Sequence, residues 1–313
     1  MPCKVSIIIP TLNRPDDLQK TLLSIEKQTV LPEEVILIDQ SPDERSKEVL
    51  NAFRARVGSS IGRVEYLFQE EKSSAKARNR GILAARGDIL SFLDDDVELF
   101  EDYFERVLVS FSVHPDVGAL SGNVLVAAPT GWIWGLRRFL YGFFLVSNFK
   151  GRMTPSGFGY PVYERPILEV MDVEMLPGCN MNFRADVMDG ALFDDWFTGY
   201  SYREDVELSY RISRKTRIRM IPDAKLYHHY SPVERQASRV KKEMEVRNCY
   251  YVFRKFRGRN PIACILFCYS VAGLIAMDLL EFIIHRDRKH FEVFKVNLQA
   301  SFSLAGKSRE LGS

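Results

Sequence analysis

Three consecutive carboxylates, Asp94-Asp95-Asp96, follow the apolar run Ile89-Leu90-Ser91-Phe92-Leu93. A hydrophobic strand would deliver three like charges to one point, where their repulsion requires a countercharge. A hard divalent ion, Mg2+ or Mn2+, supplies it, because Mg2+ sites combine one or two carboxylates with substrate phosphates. Asp94 and Asp96 are alternate residues that can act together on such an ion. The competing reading is a solvated acidic turn opening a helix over residues 98–111.

What would position these acids is a series of strands and helices in alternation. Residues 5–9 are β-branched and unbroken, as in a strand buried on both faces, and Pro10 ends them. Leu18, Leu22 and Ile25 fall at helical spacing after Pro15, giving a helix to about residue 28. Strands are expected over 35–38, 64–68 and 89–93, and a helix over 74–86. The alternation argues for an α/β fold, a Rossmann-like and mostly parallel sheet flanked by helices. Such sheets bind ligands beyond the carboxyl ends of their strands. Those ends carry Thr11 and Asn13, then Asp39 and Gln40, then Asp94 to Asp96, which suggests a nucleotide pocket. Helix capping is the alternative, for Asn13 and Asp96 in particular.

The composition narrows the function classes. Among 313 residues, 43 Lys+Arg against 41 Asp+Glu leave a net charge of +2, so nucleic acid is not an expected partner. With 46% hydrophobic and 27% charged residues, the chain is globular rather than disordered. Five cysteines at no C-x-x-C spacing suggest neither a disulfide framework nor a zinc knuckle, and fit a reducing compartment. The first strand-like run starts after four residues, so secretion by a signal peptide is not expected. The first strand has no G-x-G-x-x-G after it, which argues against dinucleotide binding.

The runs Val5-Ser6-Ile7-Ile8-Ile9-Pro10-Thr11-Leu12-Asn13-Arg14, Gln28-Thr29, Glu34-Val35-Ile36-Leu37-Ile38-Asp39, Ala77-Arg78-Asn79-Arg80-Gly81 and Phe92-Leu93-Asp94-Asp95-Asp96 occur in the order seen in family 2 glycosyltransferases. The resemblance continues through Pro177-Gly178-Cys179-Asn180-Met181-Asn182-Phe183-Arg184, Arg203-Glu204-Asp205-Val206-Glu207-Leu208 and Pro222-Asp223-Ala224-Lys225-Leu226-Tyr227-His228, so that it covers residues 4–231. It implies a GT-A fold and an inverting, metal-dependent hexosyltransferase that uses a nucleotide sugar. Thr11, Asn13 and Asp39 would approach the nucleotide, with Arg78 and Asn79 near its ribose or phosphates and Asp95 beside the donor. Asp94 and Asp96 match the metal-binding D-x-D pair, and His228 stands where some relatives place a metal or phosphate ligand. A structural histidine is the alternative there, since imidazole is borderline for Mg2+ though acceptable to Mn2+. Many members have two acids after the second strand, whereas this chain has Asp39-Gln40. An amide offers both a donor and an acceptor, so Gln40 could read uracil, thymine or guanine. Asp205 matches the family's general base, and Glu204 would orient it or bind the acceptor. By itself, Glu204-Asp205 would read as a solvated helix start. Gly178, Cys179, Asn180 and Met181 resemble the loop and helix start that flank the donor sugar and acceptor.

From Arg235 to Arg259 lie nine Lys/Arg opposed only by Glu243 and Glu245, and residues 262–277 carry no charge. As a helix the uncharged run is about 24 Å long, shorter than a hydrocarbon core of about 30 Å. An interfacial or re-entrant helix against anionic headgroups is therefore expected, with a core or dimer-interface helix as the rival. Residues 132–149 interleave aromatics with Arg137 and Arg138, which suits a headgroup boundary or an acceptor-site lid. The expected organisation is a catalytic domain over 1–231, divided into a nucleotide-sugar half 1–125 and an acceptor and base half 126–231, followed by a membrane-associated helical segment 232–313. The partners implied are a nucleotide-sugar donor, a glycan or polyprenyl-linked acceptor and the inner face of the cell membrane, where the chain would be peripheral or monotopic; a homo-oligomer is compatible with this. A nucleotidyltransferase would need a glycine-rich loop after the first strand. The other alternative is a non-catalytic membrane-bound subunit that binds nucleotide sugar, against which the intact Asp94, Asp96 and Asp205 speak.

Overall fold

The computed structural model describes residues 3–126, 131–162, 166–231, 233 and 238–307. The chain divides into two compact units, Met1–Ala128 with Val162–Arg235, and Pro129–Pro161 with Gln236–Ser313. Residues 129–161, which the sequence assigns to the acceptor half, thus group with the C-terminal helices.

In the first unit, β1 (Val5–Thr11), α1 (Pro15–Glu26), β2 (Glu34–Asp39), α2 (Arg45–Val57), β3 (Arg63–Phe68), α3 (Ser74–Ala84) and β4 (Ile89–Leu93) follow the expected alternation. The remaining elements are β5 (Val97–Leu99), α4 (Tyr103–Val113), β6 (Val117–Leu125), β7 (Met171–Val173), β8 (Asn180–Arg184), α6 (Glu204–Ser213) and β9 (Arg217–His228), with α5 (Trp132–Phe143) in the second unit. The strands form one sheet in the order β3-β2-β1-β4-β8-β6-β9-β5, with β7 on β9. It is parallel from β3 to β4, and then mixed, because β8 runs antiparallel to both β4 and β6. The core contains Ile7, Ile9, Val35 and Leu37, covered by Leu18, Leu22 and Ile25 of α1 and by Leu50 and Phe53 of α2. Burial on both faces accounts for strands that read as continuous apolar runs.

Two local expectations are corrected. Residues 97–99 form β5, paired with β9, and the following helix begins only at Tyr103. Val97 and Leu99 are buried on the sheet side while Glu98 faces out, a period of two that three residues display too briefly to be read. The helix start expected after Gly178 is instead the strand β8, whose partners β4 and β6 lie about 60 to 90 residues away in the chain.

The second unit is helical: α5, α7 (Ser238–Phe256), α8 (Pro261–His285) and α9 (Arg288–Lys307). Its core joins Val146 and Phe158 to Tyr250 and Phe253 of α7 and to Phe267, Leu274 and Met277 of α8. Helix α8 extends past the uncharged run to 25 residues, because Lys242 lies 3.3 Å from Asp278 Oδ2 and Asn297 donates to the same oxygen. At a mean hydropathy of 2.1 it is long and apolar enough to cross a membrane by length and composition, and part of that window is buried inside the protein. Arg235, at the start of the basic run, lies outside the described residues.

Candidate active site

Strand β4 has parallel β1 on one side and antiparallel β8 on the other, so the pairing changes direction at the strand that releases the three acids. Asp95 is buried: Thr11 Oγ1 donates to its Oδ2 at 2.6 Å, and Arg14 Nη1 donates to Oδ1 at 3.1 Å. Burial pushes its carboxyl up, to about 7, against the pull of Arg14. Asp96 Oδ2 accepts from the Ser231 N–H at 2.8 Å. Asp94 is the most open of the three, at 29% exposure, and accepts from Arg78 Nη2 at 2.9 Å. Neither Asn13 nor Asp96 caps a helix; Arg14 is the N-cap of α1 and makes no side-chain cap, and Asn13 takes a left-handed φ of 57°.

Asp94, Asp96 and His228 bring their ligand atoms within 4.8 Å of one another. His228 Nε2 stands 2.9 Å from Asp96 Oδ1, yet that buried oxygen receives no aligned hydrogen bond. A ring nitrogen and a carboxylate oxygen so placed are spaced like two ligands of one ion, since adjacent ligands at about 2.1 Å from an octahedral centre lie about 3 Å apart. The two oxygens suit a hard cation, and the imidazole extends the set toward Mn2+. Burial tends to raise the Asp96 carboxyl and lower the His228 imidazole. Their contact overrides it: His228, the Ser231 N–H and Arg14 hold Asp96 below the usual carboxylate range, and Cys179 and Asp96 hold His228 above the usual imidazole range.

Arg78, buried on α3, donates to Glu204 through Nη1, and through Nη2 to Asp94 at 2.9 Å and to the Gly178 carbonyl at 3.2 Å. One guanidinium thereby ties the acid loop after β4, the loop before β8 and the start of α6 together. Asp205, half-buried beside Glu204, accepts from the Gly178 N–H at 2.9 Å through Oδ2 and from the Val206 N–H at 2.8 Å through Oδ1. A Cβ on Gly178 would stand 3.2 Å from that Oδ2, so glycine permits the close approach. Burial pushes the Asp205 carboxyl above its ordinary value, which makes the carboxylate a stronger proton acceptor than a free aspartate. Glu204 is more deeply buried and pushed up to about 8, against the Arg78 guanidinium. The pair follows two residues in left-handed conformation, Ser201 at φ 53° and Arg203 at φ 77°, a strained entry of the kind found at functional sites.

The structure brings Asp94, Asp96, His228, Arg78, Glu204, Asp205 and Gly178 together. Other expected contacts face inward. Asp39 is 0% exposed and accepts from Tyr66 Oη at 3.1 Å and the Ser41 N–H at 2.9 Å. The Asn13 N–H donates to Ser41 Oγ at 2.8 Å. Gln40 Oε1 accepts from the Ser73 N–H at 2.6 Å, which commits the amide oxygen and leaves Nε2 as its donor. Asn79 uses both ends of its amide on the backbone of Phe193, at 2.8 and 2.7 Å. Cys179 and Met181 are buried, and Asn180, at 0% exposure, accepts from Tyr103 Oη in the sheet interior. Sequence reasoning gave no role to Arg14, whose only signal was the need for a cation opposite three acids, or to Ser231, whose backbone carries no sequence signal.

The family described as Glycosyl transferase family 2 matches residues 6–169. Glycosyltransferase AglE of Haloferax volcanii is 32% identical over 130 residues, 41% of this chain and 41% of that protein. Validoxylamine A glucosyltransferase of Streptomyces hygroscopicus subsp. limoneus is 34% identical over 110 residues, 34% of this chain and 23% of that protein. The chain thus spans less than half the length of these curated relatives. The structure of GalNAc-T7 with UDP, GalNAc and Mn2+ superposes with a TM-score of 0.57 at 17% identity, over 80% of this chain and 48% of that one. That likeness shows the fold, GT-A.

Proposed function

The chain belongs to glycosyl transferase family 2, and from that premise we propose that it is a metal-dependent inverting glycosyltransferase that moves a sugar from a nucleotide-sugar donor to a glycan or polyprenyl-linked acceptor on the cytoplasmic face of the cell membrane. The observation that carries this reading is the Arg78 bridge, which ties Asp94 of the candidate metal group to Glu204, the neighbour of Asp205.

Inversion is a direct displacement at the anomeric carbon. The acceptor hydroxyl oxygen forms the new bond to that carbon, the bond to the diphosphate oxygen breaks with its electron pair, and the hydroxyl proton goes to Asp205. The two backbone N–H bonds fix the Asp205 carboxylate, and burial, by raising its pKa, makes it a better proton acceptor than a free aspartate. Glu204, engaged by Arg78, orients the segment that carries Asp205. Asp94, Asp96 and His228 would hold Mn2+ or Mg2+, which when bound supplies Lewis-acid stabilisation of the departing diphosphate. The GalNAc-T7 structure contains Mn2+ and UDP, which supports the same ligand classes here. Gln40 Nε2 is suited to donate to a base carbonyl of uracil, thymine or guanine.

A panel of UDP-, dTDP- and GDP-sugars, assayed for hydrolysis and thermal stabilisation with Mn2+ and with chelator, tests the reading. Hydrolysis confined to the metal-supplied samples of one nucleotide is expected. Equal hydrolysis under chelator, or no response to any donor, would overturn it. Attachment to the membrane is supported by the exposed apolar residues Ile262 and Ile265, each at 69% exposure, on a helix flanked by basic clusters.

A further inference from the structure

Helices α7 and α8 meet at an elbow, Arg257 to Asn260, that encloses a cleft of about 1110 Å3. Arg254, Lys255, Arg257 and Arg259 line it, with Ile262 at its apolar edge. No Asp or Glu occurs between Glu245 and Asp278, so the local sequence around the elbow is basic throughout. Arg257 Nε is buried and meets no hydrogen-bond acceptor. The elbow is tight: a Cβ on Gly258 would come within 2.8 Å of the Arg254 backbone. Asn260 Oδ1 caps α8 by accepting from the N–H groups of Ile262 and Ala263 at 2.9 and 3.2 Å, which fixes the positive end of that helix beside the cleft.

An apolar stripe leaves from this cationic cleft. Ile262, Ile265, Tyr269, Leu279 and Ile283 of α8 are exposed at spacings that keep them on one face, while Ala263, Phe267, Leu274 and Met277 occupy the other face in the helical core. Tyr269 Oη donates to the Phe143 carbonyl at 3.2 Å, and the ring stands 6.1 Å from that of Phe143. The stripe therefore continues onto α5 through Phe143, Phe139, Leu136 and Trp132, all exposed. The two charged residues of α8 after its uncharged run are engaged inside the unit, Asp278 with Lys242 at 3.3 Å and Glu281 with Arg137 at 3.7 Å.

We propose that the α7–α8 elbow is a binding site for the phosphate headgroup of an anionic bilayer phospholipid, with the α8 and α5 stripe lying on the acyl chains and α8 in the plane of the interface. This rests on the membrane reading above and names the lipid chemistry. Guanidinium groups bind phosphate with paired, charge-assisted hydrogen bonds. An exposed apolar stripe that starts at the same point gives the ligand a polar head and an apolar tail, and the joined cation and tail requirements select a lipid over a soluble anion.

Flotation of the full chain with phosphatidylcholine vesicles, with and without phosphatidylglycerol, tests the site. The wild type should partition more strongly onto the anionic vesicles. The combined Arg254→Gln, Arg257→Gln and Arg259→Gln variant should lose that preference, by about a hundredfold at roughly fivefold per charge, and keep its partition onto phosphatidylcholine. Should the combined variant not fold, Arg259→Gln alone, at an exposed position, should lose about fivefold. Ile262→Ser with Ile265→Ser should weaken binding to both vesicle types. Unchanged anionic preference in the arginine variants overturns the headgroup site while membrane attachment stands. Inorganic phosphate binding in solution as tightly as the vesicles overturns the lipid assignment. A wild type that floats with neither vesicle and sediments as a dimer overturns the membrane reading itself and assigns the stripe to a second copy.

Discussion

Arg78 is the residue on which the geometry depends, because its two terminal nitrogens face two different acids. Arg78→Ala would leave Glu204 and Asp94 facing each other without a cation, and removing one partner of a buried ion pair costs about 3–5 kcal/mol. Arg78→Lys should recover part of that loss, since a point charge cannot span both acids as the planar fork does. Urea melts of the three proteins check the order. Asp205→Asn keeps shape and loses the proton acceptor; transfer should fall by about a hundredfold to ten-thousandfold, while donor binding by calorimetry stays unchanged. Wild-type kcat/KM should decline on the acid side at a pH above that of an ordinary aspartate, because the Asp205 carboxyl is raised and must be ionised to act. That Asp94, Asp96 and His228 would lie close together was expected from the order of the motifs, not from residue type alone. The inward turn of Asp39, Asn79 and Asn180 was not, because Tyr66, Phe193 and Tyr103, their partners, come from segments that no local pattern connects to them.

At the scale of elements, the parallel half of the sheet is held by a polar pin as well as by its core. Glu34, buried on β2, accepts from Ser6 Oγ of β1 at 2.6 Å, from Arg63 Nη1 of β3 at 2.6 Å and from the Arg86 N–H. Burial works to raise its carboxyl, but these bonds hold it below the ordinary value. A depressed folded-state pKa adds stability at pH above the unfolded value of 4.5, and that stability is lost as the pH falls through the folded value. Glu34→Gln should therefore lose about 1.5–3 kcal/mol at pH 7, and the gap from wild type should narrow below pH 4.5 in denaturant melts. Gly81→Ala is a second test: a Cβ there would come 2.3 Å from Ile8 Cγ2, so α3 must move off the sheet, at about 1–3 kcal/mol in the same assay. Elements with long periodic patterns, β1, α1, β4 and α3, were readable from the sequence. Strands β5 and β8 were not, since β5 has only three residues, β8 alternates Asn180, Asn182 and Arg184 with its apolar positions instead of forming an apolar run like β4, and their pairing with β9 and β4 is set by tertiary contact.

At the scale of the whole molecule, the grouping of residues 129–161 with the C-terminal helices changes what a truncation would do. A chain ending at residue 235 keeps Val146 and Phe158 but deletes Tyr250, Phe253, Phe267 and Leu274, which bury them. Such a protein should expose apolar surface and aggregate, read by light scattering during refolding, whereas a self-contained catalytic domain over 1–231 would refold without aggregating. That grouping was hidden because residues 132–149 carry an aromatic and basic pattern compatible with several surroundings, and only packing decides among them. The central claim is a direct displacement with Asp205 as base, and proton NMR of the sugar released during Mn2+-supported turnover of an α-linked nucleotide sugar tests it most directly. The account predicts that the first product signal is the β anomer; an α anomer as the first product would contradict single displacement and remove Asp205 from the role given to it.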